Sequence, residues 1–450
     1  MAVLESFNPV NGERVGEVAI TPVDAIPGIV ERARVAQRSW RALPIEERAR
    51  RVAAAGPEIV ERSRELGELL TREMGKPIKA AVGEVLSCGK GLSDEVKEII
   101  DALAPEELVD RFTHTTLFHD PYGVCAAITP WNFPMSMPHW MVVPALVAGN
   151  TVVLKPSEET PLIADAWARI LQKHLPADVL QIIHGDEAQG KALVAANVDL
   201  VAFTGSRNAG AHILSAAGSQ LKRVLLELGG KDPMVVLADA DVAAAARFAA
   251  RNSFRNTGQV CVSTERIYVD ASIRDAFVET LVDEARGMVV GDGLDEATDL
   301  GPMINVRQKR HVVEQVRKAR ESGATLAFGD PDLDGNFLGP IVLTGVDHGM
   351  DVMAEETFGP VASVQTFTGI DEAVELANDT PYGLGAVVFG GDAAAAVARR
   401  LDAGMIGINR GVGGASGSPW VGAKQSGYGF HSGPHGHRQF TQVRIVSRAP

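Results

Sequence analysis

A carboxylate and a thiol stand 34 positions apart (261 − 227), each beside glycines: Glu227-Leu228-Gly229-Gly230-Lys231 and Gly258-Gln259-Val260-Cys261. The nucleophilic form of cysteine is the thiolate, and an ordinary thiol with a pKa of ~8.5 is mostly protonated at neutral pH. A nearby base that takes the proton turns Cys261 into an attacking group, and Glu227 is the candidate for that base. The flanking glycines permit close backbone approach and positive φ, which a substrate slot needs and a packed core seldom does. Taken singly, Cys261 reads as an inert apolar-segment cysteine. What alters that reading is the pair of motifs and the chain between them, a strand-like run (Met234 to Leu237) followed by an alanine-rich helix-like run (Val242 to Ala250). One strand-helix excursion of this length brings its two ends back to a common cleft.

Other loops are placed to serve the same cleft. A buried strand, Val124 to Thr129, leads into Thr129-Pro130-Trp131-Asn132-Phe133-Pro134, then a helix and a second strand, Thr151 to Leu154. A third strand, Leu200 to Phe203, runs into Thr204-Gly205-Ser206-Arg207-Asn208-Ala209-Gly210 and a helix through Ala217. Strands alternating with helices predict a parallel, doubly wound α/β sheet, in which ligands gather at the carboxyl ends of the strands. There the Asn132 amide and the Cys261 N–H could hold an oxyanion; alone, Asn132 is a turn residue before aromatic packing. Lys155-Pro156-Ser157-Glu158 puts a cation and a carboxylate three apart at a strand end, within reach of two ribose hydroxyls, or else in a solvated loop. A carboxylate at 158 would repel a 2′-phosphate and bias the site towards NAD over NADP. The glycines after the third strand can expose N–H groups to a pyrophosphate, although the three-glycine dinucleotide fingerprint is missing.

Together, Glu-Leu-Gly-Gly-Lys, Gly-Gln-x-Cys at this distance and Trp-Asn-Phe-Pro resemble the signatures of the aldehyde dehydrogenase superfamily, in its NAD(P)-dependent, non-acylating branch. The resemblance covers nearly the whole chain, with the motifs in the family's order. It implies that Cys261 attacks an aldehyde, that Asn132 and the Cys261 N–H hold the oxyanion, that hydride leaves to a nicotinamide, and that Glu227 activates water to hydrolyse the thioester. It extends the cofactor contacts to Thr129, Pro130, Trp131, Lys155, Ser157, Glu158, Gly205, Ser206, Gly210, Leu228 and Gly229. Glu356 would hold the nicotinamide ribose and Phe358 would pack on the nicotinamide; alone, Glu355 to Pro360 is an acidic turn before a strand.

The implied fold is two doubly wound Rossmann-type domains with a small β oligomerisation arm. Residues 1–99 and 122–228 would form the cofactor-binding domain, 229–430 the catalytic domain, and 100–121 with 431–450 the arm of a homodimer or homotetramer. Two positions depart from the family pattern. Phe430-His431 stands where many members have Arg-Glu, and Met141 where a lysine is common. Both are tied to proton relay in some members, so the resemblance assigns no route for the proton leaving Glu227.

Substrate class is the least determined property. Relatives acting on succinic semialdehyde commonly carry two arginines for the distal carboxylate. Arg255 occupies the first position (261 − 255 = 6), but Trp140 stands where the second belongs. With Met137, Trp140 would wall the tunnel with apolar surface that suits medium aliphatic or aromatic aldehydes. Succinic semialdehyde is the alternative, through Arg255 and a bidentate carboxylate contact; alone, Arg255 reads as a structural ion-pair residue. Two other classes remain open: a catalytically silent binding protein on this fold, against which the intact Cys, Glu and Asn set argues, and an enzyme passing the acyl group to coenzyme A, which has no need of a water-activating base.

The remaining properties are bounds. At 450 residues there is material for about three domains, and 43 Lys+Arg against 57 Asp+Glu give a net charge of −14. That charge disfavours phosphate backbones and anionic membranes, so neither nucleic acid nor membrane is the expected partner. Three cysteines, Cys88, Cys125 and Cys261, make no disulfide framework and no paired metal spacing. The N-terminal residues lack a signal-peptide pattern, and the longest apolar run, Met141 to Leu154, is too short and too interrupted to span a bilayer. A reducing, cytoplasmic setting is expected. His431, His435 and His437 lie among glycines and proline without a Cys or carboxylate close in sequence, and no metal is expected there.

Overall fold

The computed structural model describes residues 2–449. Its centre is a six-stranded sheet ordered Gly427–Tyr428, Arg223–Glu227, Leu200–Thr204, Val124–Ile128, Thr151–Lys155, Leu180–Ile182. The other five strands pair in parallel, and only Gly427–Tyr428 runs antiparallel, against Leu226 and Glu227. The interior strands are buried on both faces, which is why Val124–Ile128 and Thr151–Lys155 read as continuous apolar runs without alternation. The chain winds outwards from Val124–Ile128 in one direction, then returns to the other side with Leu200–Thr204. That reversal opens a crevice between their carboxyl ends.

A second sheet has seven strands, ordered Thr325–Phe328, Ile341–Thr344, Val361–Phe367, Thr264–Asp270, Asp232–Val236, Gly385–Phe389, Met405–Ile408. All its pairs are parallel except the first. Glu227 ends a strand of the first sheet and Asp232 begins one of the second, so Leu228 to Lys231 crosses between them. The doubly wound α/β architecture expected from the sequence is therefore present twice. A three-stranded antiparallel sheet, with His114–Pro121 between Glu106–Val109 and Thr441–Arg448, stands apart. It exposes Leu108, Val109, Phe112, Val443 and Ile445, each more than half accessible.

The helices carry the site from behind. Ser136–Ala148 is buried at every position except Trp140 and contains Pro144, so it has no polar face to turn to solvent. The apolar spacing of Ile59, Leu66, Leu69 and Leu70 predicts one helical stretch over 45–74; the structure has three helices there, Ile45–Ala53, Gly56–Glu61 and Ser63–Met74. Pro57, in the first turn of the second piece, cannot donate to the preceding turn, and the periodicity ran through the break without registering it. No helix among the described residues is long and apolar enough to cross a membrane.

Candidate active site

Cys261 sits in a turn just before the strand Thr264–Asp270, beside the crossover from Glu227 to Lys231. Its Sγ points at Glu227 Oε1, 3.4 Å away. The approach is tight at the backbone as well. A Cβ on Gly230 would strike the Cys261 carbonyl oxygen, so a side chain there would push the two motifs apart. Cys261 is partly exposed, whereas Cys88 and Cys125 are buried. Burial also drives the Cys125 thiol up to about 12, an inert group.

Glu227 is nearly enclosed, with 4 % of the residue accessible. Its Oε2 accepts from Thr204 Oγ1 at 2.9 Å, and its Oε1 accepts from Trp420 Nε1–H at 3.0 Å. Burial raises the carboxyl above its ordinary value; the hydrogen bonds from Thr204, Cys261 and Trp420 oppose that rise. Burial also raises the Cys261 thiol well above its ordinary range, and the Glu227 charge adds to the rise. The resting pair is a protonated thiol donating to a carboxylate. Such a pair can move its proton to Glu227 as sulfur attacks.

Asn132 lies on the loop after Val124–Ile128 and faces the same space. Its Nδ2 donates to Gln259 O at 3.1 Å, leaving the second N–H of the amide for a ligand. The Cys261 N–H has no protein acceptor among the described residues. The loop itself is fixed by a buried ion pair that the sequence did not suggest. Lys76 Nζ lies 2.5 Å from Glu84 Oε2, donates to Asn132 O at 2.9 Å and stands 3.8 Å above the Phe133 ring. Glu84 Oε1 accepts from the N–H groups of Met135 and Ser136, at the first turn of the helix behind the loop.

These residues open on a cavity of about 430 Å³ whose walls include Pro130, Trp131, Asn132 and Met137, with Cys261 at one end. Thr204, Gly205, Ser206, Leu228 and Gly229 make its floor, and Glu356 and Phe358 close it. The floor is largely backbone. A Cβ on Gly229 would meet the Glu356 carboxylate, whose Oε1 accepts from the Gly230 N–H at 3.1 Å. Burial, with Glu265 adding to it, holds the Glu356 carboxyl at about 8. Ser206 caps the helix Arg207–Gly218 by accepting from the Ala209 N–H, so free N–H groups of its first turn face the crevice. Phe358, at φ 50°, packs edge-on to Trp131 with centroids 5.5 Å apart. A cleft at a strand-order reversal, with a glycine floor, a helix N-terminus and an aromatic wall near the thiol, fits a dinucleotide.

Lys155, Ser157 and Glu158 lie beyond this cavity, at the end of the neighbouring strand. Lys155 Nζ donates to Pro156 O at 2.8 Å and is 3.4 Å from Glu158 Oε2, and Glu158 keeps 41 % of its side chain exposed. Thr129 is buried beside them, its N–H on Lys155 O, and Gly210 packs under Leu228. Trp140 is turned to the far side of Glu227, its ring 6.1 Å from Trp420 and 5.3 Å from His431. Arg255 is exposed and lines a different cleft with Arg251, Asp283, Glu284 and Asp299. It makes no ion pair among the described residues, although its charge is felt at Cys261. Around the thiol the packing is apolar, from Val260, Val262, Phe133 and Trp420.

Several supports escaped the sequence reading. Lys231 Nζ and Glu265 Oε2 form a fully buried pair at 2.6 Å, and the Glu265 carboxylate accepts from the N–H groups of Thr357 (2.8 Å) and Phe358 (2.9 Å). Gln308 donates to the Thr357 and Phe358 carbonyls from the other side. Lys231 was legible as part of the glycine motif; no sequence signal linked it to Glu265 or Gln308.

A sequence model of the aldehyde dehydrogenase family matches residues 2–446. The succinate-semialdehyde dehydrogenase [NADP(+)] of Deinococcus radiodurans is 37 % identical, over 99 % of this chain and 94 % of that protein. Betaine aldehyde dehydrogenase 1 of Rhizobium meliloti is 37 % identical, over 99 % and 93 %. The crystal structure of an NAD-dependent aldehyde dehydrogenase from Sinorhizobium meliloti superposes with a TM-score of 0.96 at 35 % identity, covering 100 % of this chain and 92 % of that one.

Proposed function

The chain belongs to the aldehyde dehydrogenase family and is an oxidoreductase that oxidises aldehydes with a nicotinamide dinucleotide, and on that premise we propose that Cys261, Asn132 and Glu227 carry the reaction. Sulfur attacks the carbonyl carbon while Glu227 takes the thiol proton. The Asn132 amide and the Cys261 N–H receive the developing oxyanion. The nicotinamide ring supplies the hydride acceptor, and the thioester stays on Cys261. Glu227 releases the thiol proton to solvent and then draws a proton from the attacking water; the carbon–sulfur bond breaks with its electron pair on Cys261 sulfur, and the product leaves as a carboxylate. The observation that carries this reading is the 3.4 Å contact between Sγ and the buried carboxylate, at the end of a cavity walled by Asn132, Glu356 and Phe358.

Glu356 would hold the nicotinamide ribose, Phe358 and Trp131 the nicotinamide side, and Thr204 to Ser206 the pyrophosphate. Lys155, Ser157 and Glu158 would take the adenosine ribose, with Glu158 favouring NAD. Apolar aliphatic or aromatic aldehydes are the preferred substrates, because Met137 lines the cavity and Phe133 and Trp420 pack at the thiol, with Trp140 behind Trp420. Succinic semialdehyde is the second reading, supported by the Arg255 charge near Cys261 and by relatives named for that substrate. In domain terms, the six-stranded unit would bind the cofactor, the seven-stranded unit would present the nucleophile, and the exposed apolar residues of the three-stranded sheet would join subunits.

One experiment tests the chemical assignment. With Glu227→Gln the thiol proton must leave to water, so NADH should appear as a slower burst whose amplitude is still about equal to the number of active sites, followed by much slower turnover, and Cys261→Ser should show neither phase. Loss of the burst amplitude in proportion to the steady rate would count against Glu227 as the hydrolytic base. Strict dependence of wild-type turnover on coenzyme A would replace hydrolysis by acyl transfer. Efficiencies on hexanal, benzaldehyde and succinic semialdehyde rank the substrate readings; a lead for the semialdehyde that Arg255→Ala abolishes overturns the apolar one.

A further inference from the structure

Arg207 carries a guanidinium with no hydrogen-bonded acceptor among the described residues. It opens the helix Arg207–Gly218, directly after Ser206, and lies over the Tyr382 ring, 4.9 Å from the centroid. Glu355 is its carboxylate neighbour at 3.7 Å, too long for a hydrogen bond. An arginine fork presents five N–H donors, and only 26 % of this side chain is exposed. The donors are therefore largely withdrawn from water without being satisfied. Their mounting is firm all the same. Tyr382 is 4 % accessible, and its hydroxyl donates towards Glu355 Oε2 at 3.5 Å. Helix Arg207–Gly218 belongs with the six-stranded sheet, while Glu355 and Tyr382 belong with the seven-stranded one, so the guanidinium spans the cleft between the two.

Arg207 lines an outer cleft of about 680 Å³ that continues the cavity at the thiol. The two share Ser206, Arg307, His311 and Glu356. Arg207 thus stands between the first turn of its own helix and Glu356, and its charge opposes the rise of the Glu356 carboxyl. A pyrophosphate joins the two riboses of a dinucleotide. With one ribose at Glu356 and the other at Lys155 to Glu158, the pyrophosphate falls beside Ser206 and within reach of the next side chain. The whole chain carries a net charge of −14, so an anion needs local cations to hold it. Lys318 is engaged with Asp351 at 2.9 Å and Arg307 with Glu159 at 3.4 Å. Arg310, on the helix Val306–Glu321, brings a charge to the same cleft without an ion pair among the described residues, but it has no aromatic platform.

We infer that Arg207 is a further cofactor-binding residue, whose guanidinium exchanges Glu355 for the pyrophosphate of the dinucleotide while staying on the Tyr382 ring. The inference rests on the placing of the pyrophosphate at Thr204 to Ser206. A planar fork matches two phosphate oxygens at once, and the ring beneath it keeps the plane of the fork fixed. Leaving Glu355 costs little, because a partly exposed pair at this separation contributes little. The phosphate oxygens in turn satisfy donors that the free chain leaves without acceptors. Glu355 is a competitor for the guanidinium and not a ligand of the cofactor. Once the dinucleotide is seated, Arg207 joins the helix to the ligand, so its loss should show chiefly as faster release.

Titration of the full chain with NADH by fluorescence, with ADP-ribose and adenosine as competitors, tests the contact. Arg207→Gln should raise the dissociation constants of NADH and ADP-ribose about tenfold and leave that of adenosine, which has no phosphate, unchanged. Arg207→Lys keeps the charge without the fork and should fall between the two. Arg310→Gln removes the same charge from the same cleft and should weaken NADH by less than about threefold. Glu355→Gln removes only the competitor, so NADH affinity should hold or rise. Equal weakening by Arg207→Gln and Arg310→Gln overturns the contact in favour of a diffuse field. Equal weakening by Arg207→Gln and Glu355→Gln overturns it in favour of a tie between the two sheets' units, as does adenosine weakened as much as ADP-ribose. If the wild-type protein binds neither NADH nor ADP-ribose, the failure lies in the placing of the cofactor; if it binds both and Arg207→Gln binds them equally well, only the role of Arg207 fails.

Discussion

Glu265→Gln should damage both stability and cofactor binding, although Glu265 touches neither cysteine nor cavity. Its carboxylate receives Lys231 Nζ and two backbone N–H groups, of Thr357 and Phe358, and 3 % of its side chain is exposed. Removing one member of a buried pair leaves an uncompensated charge, at a cost of about 3–5 kcal/mol. Burial already lowers the Lys231 ammonium below its ordinary value, with Glu265 opposing. Lys231 can therefore shed its proton in the variant, which limits the loss to the lower end of that range. The glutamine amide has one oxygen for two N–H donors, so Phe358 or Thr357 also loses its acceptor, at about 1–3 kcal/mol. Lys231→Met should cost less, because Glu265 keeps both N–H groups. The double variant should be more stable than the sum of the single losses predicts, by about 1 kcal/mol or more. Urea unfolding of the four proteins gives these differences, and calorimetric titration with NAD should show weaker binding in Glu265→Gln, since the turn Thr357–Phe358 that follows Glu356 loses its anchor. Strictly additive losses, or a Glu265→Gln protein that unfolds at the wild-type urea concentration, would refute the reasoning.

Three further outcomes follow from the same geometry. Asn132→Ala should lower kcat/KM by ~10²–10³ while leaving the thermal transition near that of the unmodified protein, because the bonds that fix the loop go to the backbone oxygen of Asn132; a loss under tenfold would remove Asn132 from the oxyanion site. Trp420→Phe deletes the indole N–H that favours ionised Glu227, so the carboxyl should rise further and the ascending limb of the deacylation–pH profile should move to higher pH; an unmoved limb means the bond does not tune the base. Glu356, held at about 8, keeps its proton in the folded chain at pH values where the unfolded chain has lost it, so its contribution is complete below about pH 4.5 and is lost as pH rises towards 8. Glu356→Gln should therefore stabilise the cofactor-free protein at pH 8 by up to roughly 4–5 kcal/mol (about 1.4 kcal/mol per pKa unit between 4.5 and about 8) and by under about 1 kcal/mol at pH 5, read as a larger rise in Tm at pH 8; equal shifts at both pH values contradict that assignment.

What the sequence disclosed was whatever depends on short spacing. Cys261 and Glu227 could be matched because each lies in a glycine motif, and the strands Val124–Ile128, Thr151–Lys155 and Leu200–Thr204 could be matched because buried parallel strands are short apolar runs between turn signals. The groups that position those residues left no such trace. Trp420 reaches Glu227 across 193 positions, and His437 finds Glu98 across 339. The histidines near the C-terminus looked devoid of carboxylate partners because sequence distance was the only distance available; folding brings Glu95, Glu98 and Glu227 to them. Nothing in the sequence joined Lys76 to Glu84, since a buried ion pair is identified by what covers it, and the cover here is the Asn132 loop.

The loop before the nucleophile shows why these distant braces are needed at all. Asn256 and Thr257 both have left-handed backbone (φ 52° and 56°), and Gly258 follows at φ 70°. For non-glycine residues each such conformation costs on the order of 1–2 kcal/mol. The run persists because it is tied on several sides. Thr257 Oγ1 donates to Gly301 O at 2.8 Å, the Gln259 side chain bridges Asn256 O and the Ile304 N–H, and Asn256 Nδ2 reaches Asn132 O. Gly258 must be glycine for a second reason: a Cβ would collide with the Gly359 carbonyl. Gly359 adjoins Phe358, itself left-handed at φ 50° and anchored by Glu265. Strained turns bearing the nucleophile and the cofactor wall thus press on one another through bare backbone. A displacement of either turn is transmitted to the other, and the spacing between Sγ and the aromatic wall is set by that contact together with the buried pair Lys231–Glu265 behind the Phe358 turn and the pair Lys76–Glu84, which fixes the Asn132 loop that Asn256 bonds.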